Sequence, residues 1–112
     1  MLAFQKLDVY QCAVRLLALC SLLCKSVPRG YSGLVDQLRR SSLSVPLNIA
    51  EGSGRTTRAD AARHYGIARG SARESAAILD ALRAVGGAES ALLEEAGELA
   101  VRVVEMLSKM AL

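Results

Sequence analysis

The sequence is poor in the side chains that most metal and catalytic sites require. Its 112 residues include one histidine, three cysteines and no tryptophan. Two of the cysteines lie four residues apart and would share one face of a helix, but a structural zinc site needs two more ligands. We therefore predict no metal and no cofactor, and interpret the three as small buried hydrophobic residues: Cys12, Cys20 and Cys24.

Long apolar runs are also missing. The longest, from Leu16 to Cys24, is far shorter than the roughly 20 residues that a membrane-spanning helix needs. Asp8 and Arg15 precede it and no small-residue cleavage site follows, which is untypical of a signal peptide. The sequence therefore predicts a cytoplasmic protein without a membrane segment.

No motif for nucleotide binding or catalysis is present. The glycines of the segment EGSGRTTR, residues 51–58, are followed by Arg55 where a P-loop has lysine, and no strand precedes them. Two alternatives stay open for this segment: a site where Arg55, Arg58 and helix amides hold a phosphate, or a glycine turn with a threonine cap. His64 has no acid–base partner at a recognisable spacing. We interpret it as a helix-surface or interface residue and predict no enzyme.

What the chain does contain is suited to packed helices. Hydrophobic residues make up 52% of it, and most of them are leucine, alanine and valine. A domain of this length removes only about two-thirds of its unfolded surface from water. We therefore expect part of the apolar surface to lie in contacts between subunits of a homo-oligomer.

Apolar residues recur at three- and four-residue spacing in four segments, and no segment alternates as a strand does. The pattern predicts helices at about residues 9–26, 33–51, 58–85 and 90–111. Asp8 with Gln11, Ser32, and Thr57 with Asp60 are expected to cap the first three. Because short turns make neighbouring helices antiparallel, the sequence predicts one all-α domain over residues 1–112, an up-down-up-down four-helix bundle.

The second and third predicted helices each contain an irregular feature. Pro46 lies inside the second, where it removes one backbone hydrogen bond and crowds the carbonyl of Ser42, so we predict a kink. Gly52 and Gly54 are expected to end this helix. In the third, the apolar positions follow a strict 4-3 alternation that only the polar Ser75 interrupts.

Charge is unevenly distributed, although the net charge is only +3. Residues 37–73 carry seven arginines and two acids, a net +5, whereas residues 74–112 carry three basic and seven acidic residues, a net −4. Such polarity is typical of nucleic-acid contact or of subunits that complement one another. The arginines of the basic part can contact phosphate, or can pair with acids such as Glu51, Glu74 or those of a neighbouring subunit. The sequence leaves both alternatives open.

Four motifs, in their order and spacing, resemble those of one protein family. They are Tyr10-Gln11-Cys12-Ala13; Gln37-Leu38-Arg39-Arg40 followed by Ser44; Asn48-Ile49-Ala50-Glu51-Gly52; and Gly70-Ser71 followed by Glu74. Over nearly its whole length the chain resembles the four-helix-bundle proteins encoded in intervening sequences of bacterial large-subunit (23S) ribosomal RNA genes. Tyr10 stands where tryptophan is common in that family, and Ser75 where leucine is usual, so we expect different packing around Ser75.

The resemblance implies a left-handed bundle that assembles into a ring-like homopentamer, and no established activity for most members. A related branch serves as the accessory protein of diversity-generating retroelements, and binds nucleic acid and a reverse transcriptase. By this analogy the leading hypothesis is an accessory protein whose arginines contact RNA or DNA phosphates: Arg39, Arg40, Arg55, Arg58 and Arg63. The alternative is a protein-interaction scaffold whose arginines form salt bridges within and between subunits. Other polar residues of the motifs are then expected to make structural contacts: Asn48, Glu51, Ser71 and Glu74.

Overall fold

The computed structural model describes all residues, 1–112, and contains only helices. A short 3₁₀ helix at Ala3–Lys6 precedes four α-helices: α1 (Asp8–Ser26), α2 (Ser32–Ser53), α3 (Arg58–Ala84) and α4 (Ser90–Met110). These bounds lie within two residues of the predicted ones, because the apolar periodicity marks nearly the whole of each helix. The 3₁₀ helix has no such periodicity and was not predicted.

The four α-helices form an up-down bundle in which each contacts its neighbours in the sequence. α1 also packs against α4, which closes the arrangement, while the diagonal pairs α1–α3 and α2–α4 make no close backbone contacts. The molecule measures 44 × 23 × 19 Å. Its long dimension is that of α3, since 27 residues at about 1.5 Å per residue span about 40 Å. The predicted all-α four-helix bundle is confirmed.

The core consists of two apolar clusters stacked along the bundle axis. The larger contains eleven buried residues, among them Leu16, Leu38 and Leu82, and lies toward the α1–α2 turn. The smaller contains eight and includes several alanines, which let the helices approach closely. Between the levels of Leu38 and Val45, α2 carries two buried serines, so the middle of the bundle is partly polar.

The helix starts agree only in part with the predicted caps. Thr57 caps α3 as predicted, because its Oγ1 accepts a hydrogen bond from the Asp60 amide at 3.1 Å. The predictions at Asp8 and Ser32 are wrong. The N-cap residues of α1 and α2 are Leu7 and Tyr31, and neither helix has a side-chain capping hydrogen bond. Gln11, the expected partner of Asp8, instead donates from Nε2 to the Gln5 carbonyl at 3.2 Å.

The ends of α2 and α3 depend on glycines, as the sequence indicated. Gly86 has a φ of +66°, and the Gly87 amide donates to the Leu82 carbonyl at 2.8 Å, which ends α3. Gly54 follows the last residue of α2 and its amide donates to the Glu51 carbonyl at 3.2 Å. α2 runs unbroken through the buried Pro46, and the kink stays a prediction.

α1 is, by length and composition alone, the one helix able to cross a membrane. One face of it is packed in the bundle core, where Ala13, Leu16, Cys20 and Leu23 are fully buried. The buried face alone can make a core helix of this length apolar enough to pass a test of length and composition for membrane spans. The absence of a membrane segment stays a prediction.

Candidate nucleic-acid interface and the polar seam

The five predicted phosphate-contacting arginines fall into two separate groups. Arg39 and Arg40 lie near the middle of α2, whereas Arg55, Arg58 and Arg63 surround the turn between α2 and α3. About fourteen helical residues separate the groups, a distance of about 20 Å along the helix axis. One chain therefore presents two basic regions rather than a single patch.

The turn arginines, Arg55, Arg58 and Arg63, are exposed, and two of them pair with carboxylates. Arg55 Nη2 lies 2.8 Å from Glu51 Oε2, and its Nε lies 3.6 Å from Asp60 Oδ2. Arg63 donates to Asp60 Oδ1 from both Nε and Nη2, at 3.2 and 3.1 Å. Arg58 has no acidic partner, so the group keeps a net charge of +1. Exposed ion pairs of this kind contribute about 0–1 kcal/mol to stability, so a phosphate can replace the carboxylate at little cost.

The second group lies on the outer side of α2. Arg39 and Arg40 are exposed, and neither forms an ion pair within the chain. Leu43 and Leu47 follow on the same side and are 46% and 54% exposed. We refer to these four residues as the α2 outer face, which is basic at one end and apolar along the rest.

A row of polar side chains joins α2 to α3 beneath the turn arginines. The Oγ atoms of Ser41 and Ser75 are 2.8 Å apart, and Ser71 donates from Oγ to Ser44 Oγ at 2.8 Å. Nearer the turn, Asn48 contacts His64. We call this row the polar seam, and its members are Ser41, Ser44, Asn48, His64, Ser71 and Ser75.

His64 lies between two hydrogen-bonding partners and is only 8% exposed. Arg63 Nη2 lies 3.1 Å from His64 Nε2, which must accept because a guanidinium carries only donors. The ring proton is therefore on Nδ1, and it is donated to Asn48 Oδ1 at 3.2 Å. Asn48 Nδ2 in turn donates to the Ser44 carbonyl and Oγ at 3.0 and 3.1 Å. The interpretation of His64 as a helix-surface or interface residue is wrong, because the residue is buried inside the chain.

The four polar motif residues do not share one role. Asn48 and Ser71 lie in the polar seam and make the structural contacts expected of them. Glu51 makes its contact at the surface, where its side chain is 58% exposed and pairs with Arg55. Glu74 is exposed and has no ionic partner in the chain. Both glutamates point to solvent because the buried sides of α2 and α3 are filled by small and apolar residues.

Ser75 departs from the usual leucine of the resembled family, and its surroundings explain how a serine fits. It is fully buried, and its Oγ donates to the Ser71 carbonyl at 2.9 Å while contacting Ser41 Oγ. Ser42 is equally buried and donates to the Leu38 carbonyl at 2.7 Å. No buried side-chain polar atom in the chain lacks a partner, so this polar layer avoids the desolvation penalty of an unmade hydrogen bond.

At Gly52, α2 and α3 approach too closely to leave room for a side chain. A Cβ atom on it would lie 2.7 Å from Tyr65 Cε1 and 3.1 Å from the Ala61 carbonyl oxygen. Gly52 is therefore buried within α2, one residue before the helix ends at Ser53, and does not itself stop the helix as predicted. Because Gly52 has no side chain, the Tyr65 ring can pack against it, and this contact sets the distance between α2 and α3.

We expect Asn48→Ala to lower the free energy of unfolding by about 1.5 kcal/mol, because it leaves His64 Nδ1–H without its acceptor. Urea denaturation monitored by circular dichroism measures this. The matched control is the double variant Asn48→Ala/His64→Leu, which removes both partners. The double variant should lose less free energy of unfolding than the sum of the losses measured for Asn48→Ala and His64→Leu alone. Additive costs would show that the two side chains do not interact.

Comparisons with known proteins give a family and a fold. A family model described as "23S rRNA-intervening sequence protein" matches residues 5–109. A crystal structure from Bacteroides thetaiotaomicron, described as a protein of unknown function from the S23 ribosomal protein family, superposes with a TM-score of 0.83. It is 20% identical, and the alignment covers 92% of this chain and 97% of that one, which shows the shared fold. No curated protein matches the chain.

Proposed function

The chain belongs to the 23S rRNA-intervening sequence protein family, and from that premise we propose that it is a non-enzymatic, self-associating protein that binds RNA or DNA phosphates. The observation that supports phosphate binding is the group of turn arginines, in which Arg58 has no acidic partner. The family resemblance puts the assembly at five copies, so the group would be repeated around a ring. Cytoplasmic location is part of the same proposal.

The position of the turn arginines adds to their charge. Arg58 is the first residue of α3, a 27-residue helix whose amino end carries a partial positive charge. A phosphate placed there would replace the carboxylate of Asp60 as a partner of Arg55 and Arg63. Exchange of one exposed anion for another costs little, since each guanidinium keeps an anionic partner.

Little sequence selectivity is expected of such a site. Reading of bases requires contacts to base edges or stacking on exposed aromatic rings. The chain has one phenylalanine and three tyrosines, and Phe4 packs edge-on against Tyr10 with ring centroids 5.0 Å apart. Contacts to phosphate should therefore dominate, and affinity should depend strongly on salt.

We expect the double variant Arg55→Ala/Arg58→Ala to weaken binding to a structured RNA about tenfold at low salt. It should also reduce the slope of log affinity against log salt by about 1 for each phosphate that the variant no longer binds. Fluorescence anisotropy over a salt series measures both quantities. Arg29→Ala, an exposed position in the α1–α2 turn at the other end of the bundle, is the matched control and should bind like the unmodified protein. Absence of binding to RNA and to DNA even at low salt would refute the proposed function.

A second candidate function is a protein-interaction scaffold, and the ion pairs of the turn arginines favour it. Arg55 and Arg63 are already neutralised by Glu51 and Asp60, and Arg39 stands unpaired beside exposed leucines. In that case Arg39→Ala should dissociate the oligomer and leave any affinity for nucleic acid unchanged. Size-exclusion chromatography with light scattering measures this dissociation. Because both candidates include self-association, the anisotropy titration separates them: only the first predicts that Arg55→Ala/Arg58→Ala weakens binding to RNA.

A further inference from the structure

The surface between α3 and α4 contains an open groove on a different side of the bundle from the α2 outer face. Two adjoining pockets of about 350 and 310 Å³ form it, and they share Ala76, Asp80 and Val101. Ala77 and Val104 extend its apolar lining, and Val101 is 55% exposed. We call this the α3–α4 groove. Its small side chains leave space for larger apolar groups from outside.

The rim of the α3–α4 groove is acidic. Four carboxylates border it, and none forms a salt bridge within the chain: Asp80, Glu94, Glu98 and Glu105. Only Arg73 and Arg83 oppose them, which leaves a net charge of −2. A partner for this groove should therefore present apolar side chains next to basic ones.

The α2 outer face has this combination. Leu43 and Leu47 are four residues apart, so their side chains project side by side one helical turn apart. Arg39 and Arg40 occupy the preceding turn and lack acidic partners. Asp36, which is exposed and forms no salt bridge, lies one turn before them, so this end of the face has a net charge of +1. The nearest acid toward the carboxyl end, Glu51, is already paired with Arg55.

We propose that the α2 outer face of one copy docks in the α3–α4 groove of a second copy, an inference that rests on the self-association proposed above. Leu43 and Leu47 enter the two pockets, and the arginines meet the acidic rim, as in helix-in-groove recognition. Nucleic acid is the poorer occupant of the α2 outer face because phosphates gain nothing from two exposed leucines. The two surfaces differ, so the contact is head-to-tail and can repeat until a ring closes.

The apolar part of the contact is tested with Leu43→Glu/Leu47→Glu. Sedimentation velocity should show the mass falling from a multiple of 11.9 kDa to 11.9 kDa, with the apparent dissociation constant raised at least about tenfold. Leu22→Glu on α1, a leucine 52% exposed and outside both surfaces, is the matched control and should leave the mass unchanged. Circular dichroism establishes that each variant is still helical.

The charged part is tested by reversal and rescue. Arg39→Glu/Arg40→Glu and Asp80→Arg/Glu98→Arg should each dissociate the assembly, and one chain carrying all four changes should reassemble because the complementarity is restored. If the unmodified protein is oligomeric and the variants have the same mass as the unmodified protein, this inference is overturned and the proposed function stands. A monomer at all concentrations would overturn both this inference and the proposed self-association, while the RNA titration independently tests phosphate binding.

Discussion

Replacement of Gly52 by alanine is expected to lower the free energy of unfolding by about 2 kcal/mol, or the melting temperature by roughly 8 °C. The added Cβ would lie 2.7 and 2.9 Å from two atoms of the Tyr65 ring, which is closer than non-bonded carbon atoms can approach. The ring can move, but the Ala61 carbonyl at 3.1 Å belongs to the α3 backbone and cannot move independently. α2 and α3 must therefore separate, which loosens the contacts of the polar seam.

Gly66→Ala is the matched control, because Gly66 also lies within a helix but has no atom within 4 Å of its added Cβ. Alanine has the higher helix propensity, so this variant should gain about 1 kcal/mol. Urea denaturation of both variants should therefore give changes of opposite sign. Tyr65→Ala should cost less in the Gly52→Ala background than in the unmodified protein, since the added Cβ has already displaced the ring. Equal stability of the two glycine variants would contradict the close approach of α2 and α3.

Periodicity predicted the helices well and their first residues less well. An apolar stripe extends over five or more turns, so one misplaced residue hardly alters it. A cap depends on the dihedral angles of a single residue, which the chain entering the helix also controls. At the start of α1, Gln11 donates a hydrogen bond to the preceding 3₁₀ helix, and Leu7 rather than Asp8 is the N-cap residue. At Thr57 a glycine turn precedes the helix, and the expected cap forms.

The polar seam was partly readable from the sequence. On α2, Ser41, Ser44 and Asn48 follow a three- and four-residue spacing beside the apolar stripe, as Ser71 and Ser75 do on α3. Polar residues that share the stripe's period indicate a polar contact between helices. The pairing of Asn48 with His64 was not readable, because the register of α3 against α2 is fixed by the turn and by the Gly52–Tyr65 contact.

The grouping of the arginines follows from the same register. A count of charge along residues 37–73 gives +5, but it does not show which cations share carboxylates. Glu51 and Asp60 lie on opposite sides of the turn, and the fold brings both to Arg55. The neutralised cations therefore lie at the end of the bundle, while Arg39 and Arg40 remain unpaired at its middle. This separation is why phosphate binding and self-association are proposed for different arginines.

A rise in pH from 9 to 12 is expected to destabilise the fold by about 4 kcal/mol through the single thiol of Cys20. Burial, and secondarily the neighbouring Cys24, raises the pKa of Cys20 from 9.0 to about 12, although a hydrogen bond with Ser42 lowers it in part. Between pH 9 and about pH 12, Cys20 loses its proton in the unfolded chain and retains it in the folded chain. The unfolded state then binds fewer protons, so the free energy of unfolding falls by about 1.4 kcal/mol per pH unit. Below pH 9 both states are protonated and this contribution is constant.

Cys20→Ala should therefore flatten the decline of stability from pH 9 to 11 by about 1.4 kcal/mol per unit relative to the unmodified protein, whatever its constant cost at neutral pH. Cys12→Ala, at a partly exposed position of the same helix, is the matched control and should keep the steep decline. Burial also raises the pKa of Tyr65, but that contribution is present in all three proteins and cancels in the comparison. Urea denaturation at each pH gives the slopes. Equal slopes for Cys20→Ala and the unmodified protein would mean that this thiol reaches water in the folded state, and that the core around Ser42 is open.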